Sequence, residues 1–69
     1  MNENYSKSVG KRLKETRKAA DLKQSDVAEK AKLSTNYYAR LERGEVAPSI
    51  TVMKSVAEAL GLKPGDLLN

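Results

Sequence analysis

Apolar positions recur along this chain at three- and four-residue steps, and no stretch alternates apolar and polar residues long enough to make a strand. Val9, Leu13, Thr16 and Ala20 share one face of a first helix predicted from about Ser6 to Ala20. Lys7, Lys11, Lys14 and Lys18 form a basic stripe on its other face. Val27, Ala28 and Ala31 mark the inner side of a second helix, from about Gln24 to Ala31. A third begins after Ser34, whose hydroxyl can accept from an otherwise unpaired helix N–H, and stops at Gly44, a natural left-handed residue. Pro48-Ser49 opens a fourth, with Ile50, Met53, Val56, Ala57 and Leu60 as its apolar stripe and Gly61 as its end. Pro64 starts a last short turn of helix carrying Leu67 and Leu68. The expected fold is all-α, in one domain over residues 1–69.

Only Lys32-Leu33-Ser34 joins the second helix to the third, and so short a connection forces the tight corner of a helix-turn-helix. At about 100° per residue, Ser34, Tyr37, Tyr38 and Leu41 fall on one side of the third helix. Asn36, Ala39, Arg40 and Arg43 fall on the opposite side. An amide can pair bidentately with adenine and a guanidinium with guanine, and the small alanine leaves room for a base edge. A plain solvated helix face would show the same polar composition.

Composition narrows the choice. The chain has 69 residues, no cysteine and no histidine. That removes disulfides, thiolate metal sites and thiol nucleophiles, together with the commonest metal ligand and general base. The nine carboxylates are scattered over exposed helical positions, and a bundle this small encloses little volume for a substrate. No enzyme, metal or cofactor is expected. The amino-terminal MNENYSKSVGKR lacks the apolar stretch of a signal peptide, and no apolar run approaches membrane-spanning length, so a cytoplasmic location is expected. The net charge is +4, and its placement matters more than its size: residues 1–44 carry 11 Lys/Arg against 6 Asp/Glu, residues 45–69 carry 2 against 3. A basic half suits a polyanion, because neutralised phosphates release counterions. A lysine-rich solvated surface is the alternative reading of charge alone.

The stretch QSDVAEKAKLSTNYYARLERGE (24–45), followed by PSI (48–50) and VAEALGL (56–62), closely resembles the lambda-repressor-like, Cro/XRE-type helix-turn-helix regulators. The likeness extends through VGKRLKETR (9–17) and DLL (66–68), covering about 60 of the 69 residues. The resemblance implies a compact five-helix DNA-binding domain whose helix-turn-helix, about 24–42, is made by helices 2 and 3. The recognition helix, about 35–42, would enter the major groove of double-stranded DNA. Thr35, Asn36, Ala39 and Arg40 would then be base-facing. Gln24 matches the family's glutamine that meets the DNA backbone and braces the recognition helix. Arg43 and the amino end of the third helix at Ser34 would meet phosphates, as would the Tyr37 hydroxyl. Arg17 and Glu42 match a charged pair that ties the first helix to the third. The implied function is transcriptional regulation, as a repressor, by a homodimer on a near-palindromic operator, weakly associated without DNA.

Four positions depart from the pattern. Lys23 replaces a common threonine and cannot cap with an oxygen, although Asp26 still serves the first-turn dipole. Lys32 and Asp21 stand where glycine is usual, which places residues with a Cβ in left-handed corners. Tyr38 replaces a branched aliphatic, so its hydroxyl must find a partner or reach solvent. The rival function is an antitoxin-type or adaptor protein whose main partner is another protein. Leu67 and Leu68 either cap the core or carry such contacts, including those of a dimer.

Overall fold

Left-handed corners and capped helix starts set the path of this chain. The computed structural model describes residues 2–67, arranged as α1 (Asn2–Ala19), α2 (Gln24–Ala31), α3 (Thr35–Glu42), α4 (Ile50–Ala59) and a terminal 3₁₀ turn (Pro64–Leu67). No strand occurs among the described residues. Asp21 and Lys32 adopt the left-handed backbone expected of them, at φ 58° and 61°, and Gly44 and Gly61 do likewise at φ 76° and 74°. Ser34 Oγ accepts from Tyr37 N–H at 3.1 Å and Ser49 Oγ from Val52 N–H at 3.2 Å, so α3 and α4 start as their sequences dictate. Lys23 gives no side-chain cap. Its own N–H instead donates to Asp26 Oδ2 at 2.8 Å, which closes the first turn of α2 from inside.

A second device recurs at these three starts. Leu22 and Val27, Leu33 and Tyr38, and Pro48 and Met53 each flank a cap at the spacing of a hydrophobic staple. The later residue of each pair is buried, and the earlier one is buried or packs on the core. The staple fixes the entry angle of each helix. That is how the four-residue connection before α2 and the three-residue connection before α3 can still turn a sharp corner.

Four expectations need correction. α1 begins at Asn2 rather than near Ser6, because Ser6 is itself buried and extends the inward face by a turn beyond Val9. Ala20 lies past the end of α1 in the turn and is exposed. Ile50 is 74% exposed: as the first residue after the Ser49 cap it projects beyond the core, which Met53, Val56 and Ala57 face instead. The fifth helix is a 3₁₀ turn of four residues, leaving four α-helices among the described residues. A segment that short, opened by Pro64 and Gly65, has no length for an α-helical ladder.

The core gathers Val9 and Leu13 of α1, Val27 and Ala28 of α2, Tyr38 and Leu41 of α3, Met53, Val56 and Ala57 of α4, and Leu67. Leu67 is 1% exposed, so it seals the bundle and is not free for a dimer contact; Leu68 lies outside the described residues. α2 rests on α3 and α4, and α1 crosses α3. That crossing depends on Gly10, where a Cβ would stand 2.4 Å from the Leu41 carbonyl oxygen and 2.6 Å from that of Glu42. Only glycine lets the backbones approach so closely.

Candidate nucleic-acid interface

The outer face of α3 is narrower than the helical wheel predicts. Thr35, Asn36, Arg40 and Arg43 are exposed and Tyr37 is half-buried, but Ala39 keeps only 9% of its surface. The buried side of α3 spans Tyr38, Leu41 and Glu42, because α1 covers the flank where Glu42 lies. Ala39 sits next to that flank and is drawn under it. Among the four expected base-facing residues, Ala39 is therefore a low floor, and the exposed set is Thr35, Asn36 and Arg40.

The inner face of α3 is held by a polar clamp as well as by apolar packing. Arg17 Nε donates to Glu42 Oε2 at 2.6 Å and its Nη2 to Oε1 at 3.1 Å, a two-pronged contact. Arg17 Nη1 donates to the Leu22 carbonyl at 2.9 Å, so one guanidinium ties α1, the first corner and α3 together. Gln24 Nε2 donates to Glu42 Oε1 at 2.9 Å, adding the start of α2. Gln24 thus reaches the same α3 carboxylate that Arg17 holds. The two carboxylate oxygens of Glu42 receive three donors, and its side chain is 2% exposed, against 12% for Arg17. Burial alone would raise the Glu42 pKa; the hydrogen bonds from Arg17 and Gln24 outweigh it and hold the carboxyl below its ordinary value. The same pairing raises Arg17.

Tyr38 is the flaw in this clamp. It is fully buried, and its hydroxyl has no hydrogen-bond partner, although it lies close to Glu42 and Arg17. Neither outcome expected for that hydroxyl, a partner or solvent, is met. Burial, with the neighbouring Glu42 carboxylate, pushes the phenol far above its usual range.

At the other end of α3 an acid joins the basic face. Glu45 Oε2 accepts from Arg43 Nε at 2.5 Å, while Oε1 receives Arg43 Nη2 and Arg40 Nε, each at 3.4 Å. Sequence reasoning assigned nothing to Glu45, nor to Gly10. The signal for Glu45 was present: an acid directly after a left-handed glycine folds back over the last helical turn. The lysine stripe of α1, Lys7, Lys11, Lys14 and Lys18, is exposed throughout. No described helix is long and apolar enough to cross a membrane.

Comparison with known proteins agrees with this geometry. The helix-turn-helix family HTH_3 matches residues 13–67. An immunity repressor protein of Bacillus phage phi105 is 45% identical over 56 residues, 81% of this chain and 39% of that protein. The HTH-type transcriptional regulator DdrOP3 of Deinococcus deserti is 39% identical over 57 residues, 83% of this chain and 44% of that one. The chain therefore spans about two fifths of the length of these curated relatives. Among solved structures, the restriction-modification controller protein C.AhdI of Aeromonas hydrophila superposes with a TM-score of 0.86 at 32% identity, over 90% of this chain and 94% of its own.

Proposed function

The chain belongs to the HTH_3 helix-turn-helix family, and from that membership we propose that it binds double-stranded DNA sequence-specifically and regulates transcription as a repressor. The observation that carries this reading is the contrast between the two sides of α3. The inner side is clamped by Arg17, Glu42 and Gln24, while the outer side offers Thr35, Asn36 and Arg40 to solvent. A base-reading helix needs both: side chains able to distinguish base edges, and a backbone held still while they do so. The regulator names of the relatives support the same reading.

In this arrangement α3 lies in the major groove. Asn36 and Arg40 read base edges, Thr35 stands at the helix entrance, and Ala39 lets a base approach. Gln24 spends one amide proton on Glu42 and keeps a second for a phosphate. Arg43, the amino end of α3 at Ser34 and the Tyr37 hydroxyl meet the sugar-phosphate backbone. Two copies bind a near-palindromic operator with their recognition helices about 34–36 Å apart, touching through the region of α4, where Ile50 is exposed.

Selection of bound duplexes from a random library tests this reading, because it yields both the half-site and its spacing. Arg40→Ala then flattens preference at one base pair per half-site, a loss of about 1–3 kcal/mol of discrimination. Gln24→Ala weakens all duplexes by similar factors, since backbone contacts carry no sequence information directly. If Arg40→Ala leaves the ratio of specific to non-specific binding intact while Gln24→Ala collapses it, the two roles are reversed. Failure of the library to enrich any duplex favours the protein-partner function.

A further inference from the structure

We infer that Glu45 is a specificity-determining residue: it masks Arg43 from indiscriminate phosphates and holds Arg40 with its outer nitrogens free for a base edge. The inference rests on the DNA-binding reading above and names a residue that reading does not use.

The backbone places Glu45 there. Gly44 takes φ 76°, its N–H donates to the Leu41 carbonyl at 3.1 Å, and the Glu45 N–H donates to the Arg40 carbonyl at 3.0 Å. These two bonds form a Schellman closure, which pins the residue after the glycine against the last turn of the helix. The Glu45 carboxylate then lies between the two arginines, and it treats them unequally. Arg43 gives it both Nε and Nη2, which is the edge a guanidinium uses to grip an anion with two parallel bonds. Arg40 gives it Nε alone, at 3.4 Å, so both Nη groups stay available for guanine O6 and N7.

The strength of the contact suits this role. The three side chains are 45–54% exposed, so the pairs add little to folding and can be displaced. A random duplex attracts this face through phosphates alone. It must draw Arg43 off its carboxylate and tolerate that carboxylate's charge nearby. A preferred duplex also draws Arg43 to a phosphate, but it gains the Arg40 base contact, which the remaining Nε–carboxylate bond orients, so the two effects of Glu45 offset each other there. Glu45 thus weakens unspecific binding more than specific binding.

Glu45→Gln keeps the shape and removes the charge. In the variant, affinity for a random duplex rises by about 3- to 10-fold, while affinity for the library-selected duplex changes by less than about twofold. The slope of log affinity against log salt on the random duplex steepens by about 0.9 per subunit as one phosphate contact is released. Adding Arg43→Ala to Glu45→Gln abolishes the gain. Equal tightening on both duplexes would overturn the inference, since Glu45 would then act as general repulsion, and unchanged affinities would overturn it too. Carboxyl titration by NMR in the free protein provides a readout without DNA. Glu45 titrates below its ordinary range because Arg43 hydrogen-bonds it, and returns toward that range in Arg43→Ala. A wild-type protein that ignores every duplex while Glu45 still titrates low shows that the DNA-binding reading failed, and the inference falls with it.

Discussion

Single residues carry most of what is unusual in this domain, and two of them are stability defects that can be repaired. The Tyr38 hydroxyl is buried without a partner, and an unsatisfied buried polar group costs about 1–3 kcal/mol. Tyr38→Phe deletes the hydroxyl and leaves the ring, so it should stabilise by about 1 kcal/mol, or raise the melting temperature by about 4–8 °C in a domain of this size. A lower melting temperature would mean that the hydroxyl is satisfied by the neighbouring Glu42. Lys32 holds φ 61° and ψ 41° at the corner between α2 and α3, which costs about 1–2 kcal/mol for a residue with a Cβ. Lys32→Gly relieves that strain and returns about 0.4–1 kcal/mol as unfolded-state entropy. The net expectation is a modestly higher denaturant midpoint with the same duplex preference. The strain at Lys32 was legible in the sequence, because a three-residue corner admits few backbone paths. The isolation of the Tyr38 hydroxyl was not, since it depends on how α1 and α2 deliver Arg17 and Gln24 to the Glu42 oxygens that could otherwise accept the phenol proton.

At the scale of elements, the question is what keeps α3 in place while its outer face meets a ligand. Eight residues of helix have little stability of their own; α3 is held by Leu41 and Tyr38 in the core, by the close crossing at Gly10 and by the Glu42 clamp. Glu42→Ala leaves the Arg17 guanidinium nearly buried and without its carboxylate, a loss of about 3 kcal/mol or more. A domain of this length has only about 3–10 kcal/mol of total stability, so thermal melting should show the variant near the edge of folding. The pH dependence has a defined sign. The folded Glu42 carboxyl lies below its ordinary value near 4.5, so its contribution is complete above that pH and is lost as pH falls through the lower folded value. Glu42→Gln should therefore flatten the acid limb of the stability curve; an unaltered limb would show that the carboxylate is not held by Arg17. Helix bounds were readable where a first-turn oxygen and an apolar period agree, Ser34 for α3 and Asp26 for α2. They failed at α1, where Ser6 interrupts the apolar period although it faces inward. The Ile50 error has a related cause: periodicity gives a face but not which end of it overhangs the core.

For the whole molecule, the decisive property is the uneven placement of charge, with 11 Lys/Arg against 6 Asp/Glu in residues 1–44 and 2 against 3 in residues 45–69. The charge split is plain in the sequence, whereas folding decides how much of it is free. Arg17 is consumed by Glu42, and Arg40 and Arg43 share Glu45, while the α1 lysines remain exposed. The effective positive face is thus smaller than the formal charge suggests. Salt dependence measures it. Each phosphate neutralised contributes about −0.9 to the slope of log affinity against log salt. One subunit that meets three or four phosphates gives a slope near −3, and two subunits on a full site give about −6. Between 50 and 200 mM salt, a half-site duplex should then lose affinity about 60-fold and a full-site duplex by more than about a thousandfold. Fluorescence anisotropy on the two duplexes, made from the library-selected sequence, reads both slopes. A full-site slope double that of the half-site supports two subunits meeting the DNA in the same way. Equal slopes would show that a single copy makes all the phosphate contacts. A slope near zero on both duplexes would remove phosphate from the interface and with it the proposed DNA function.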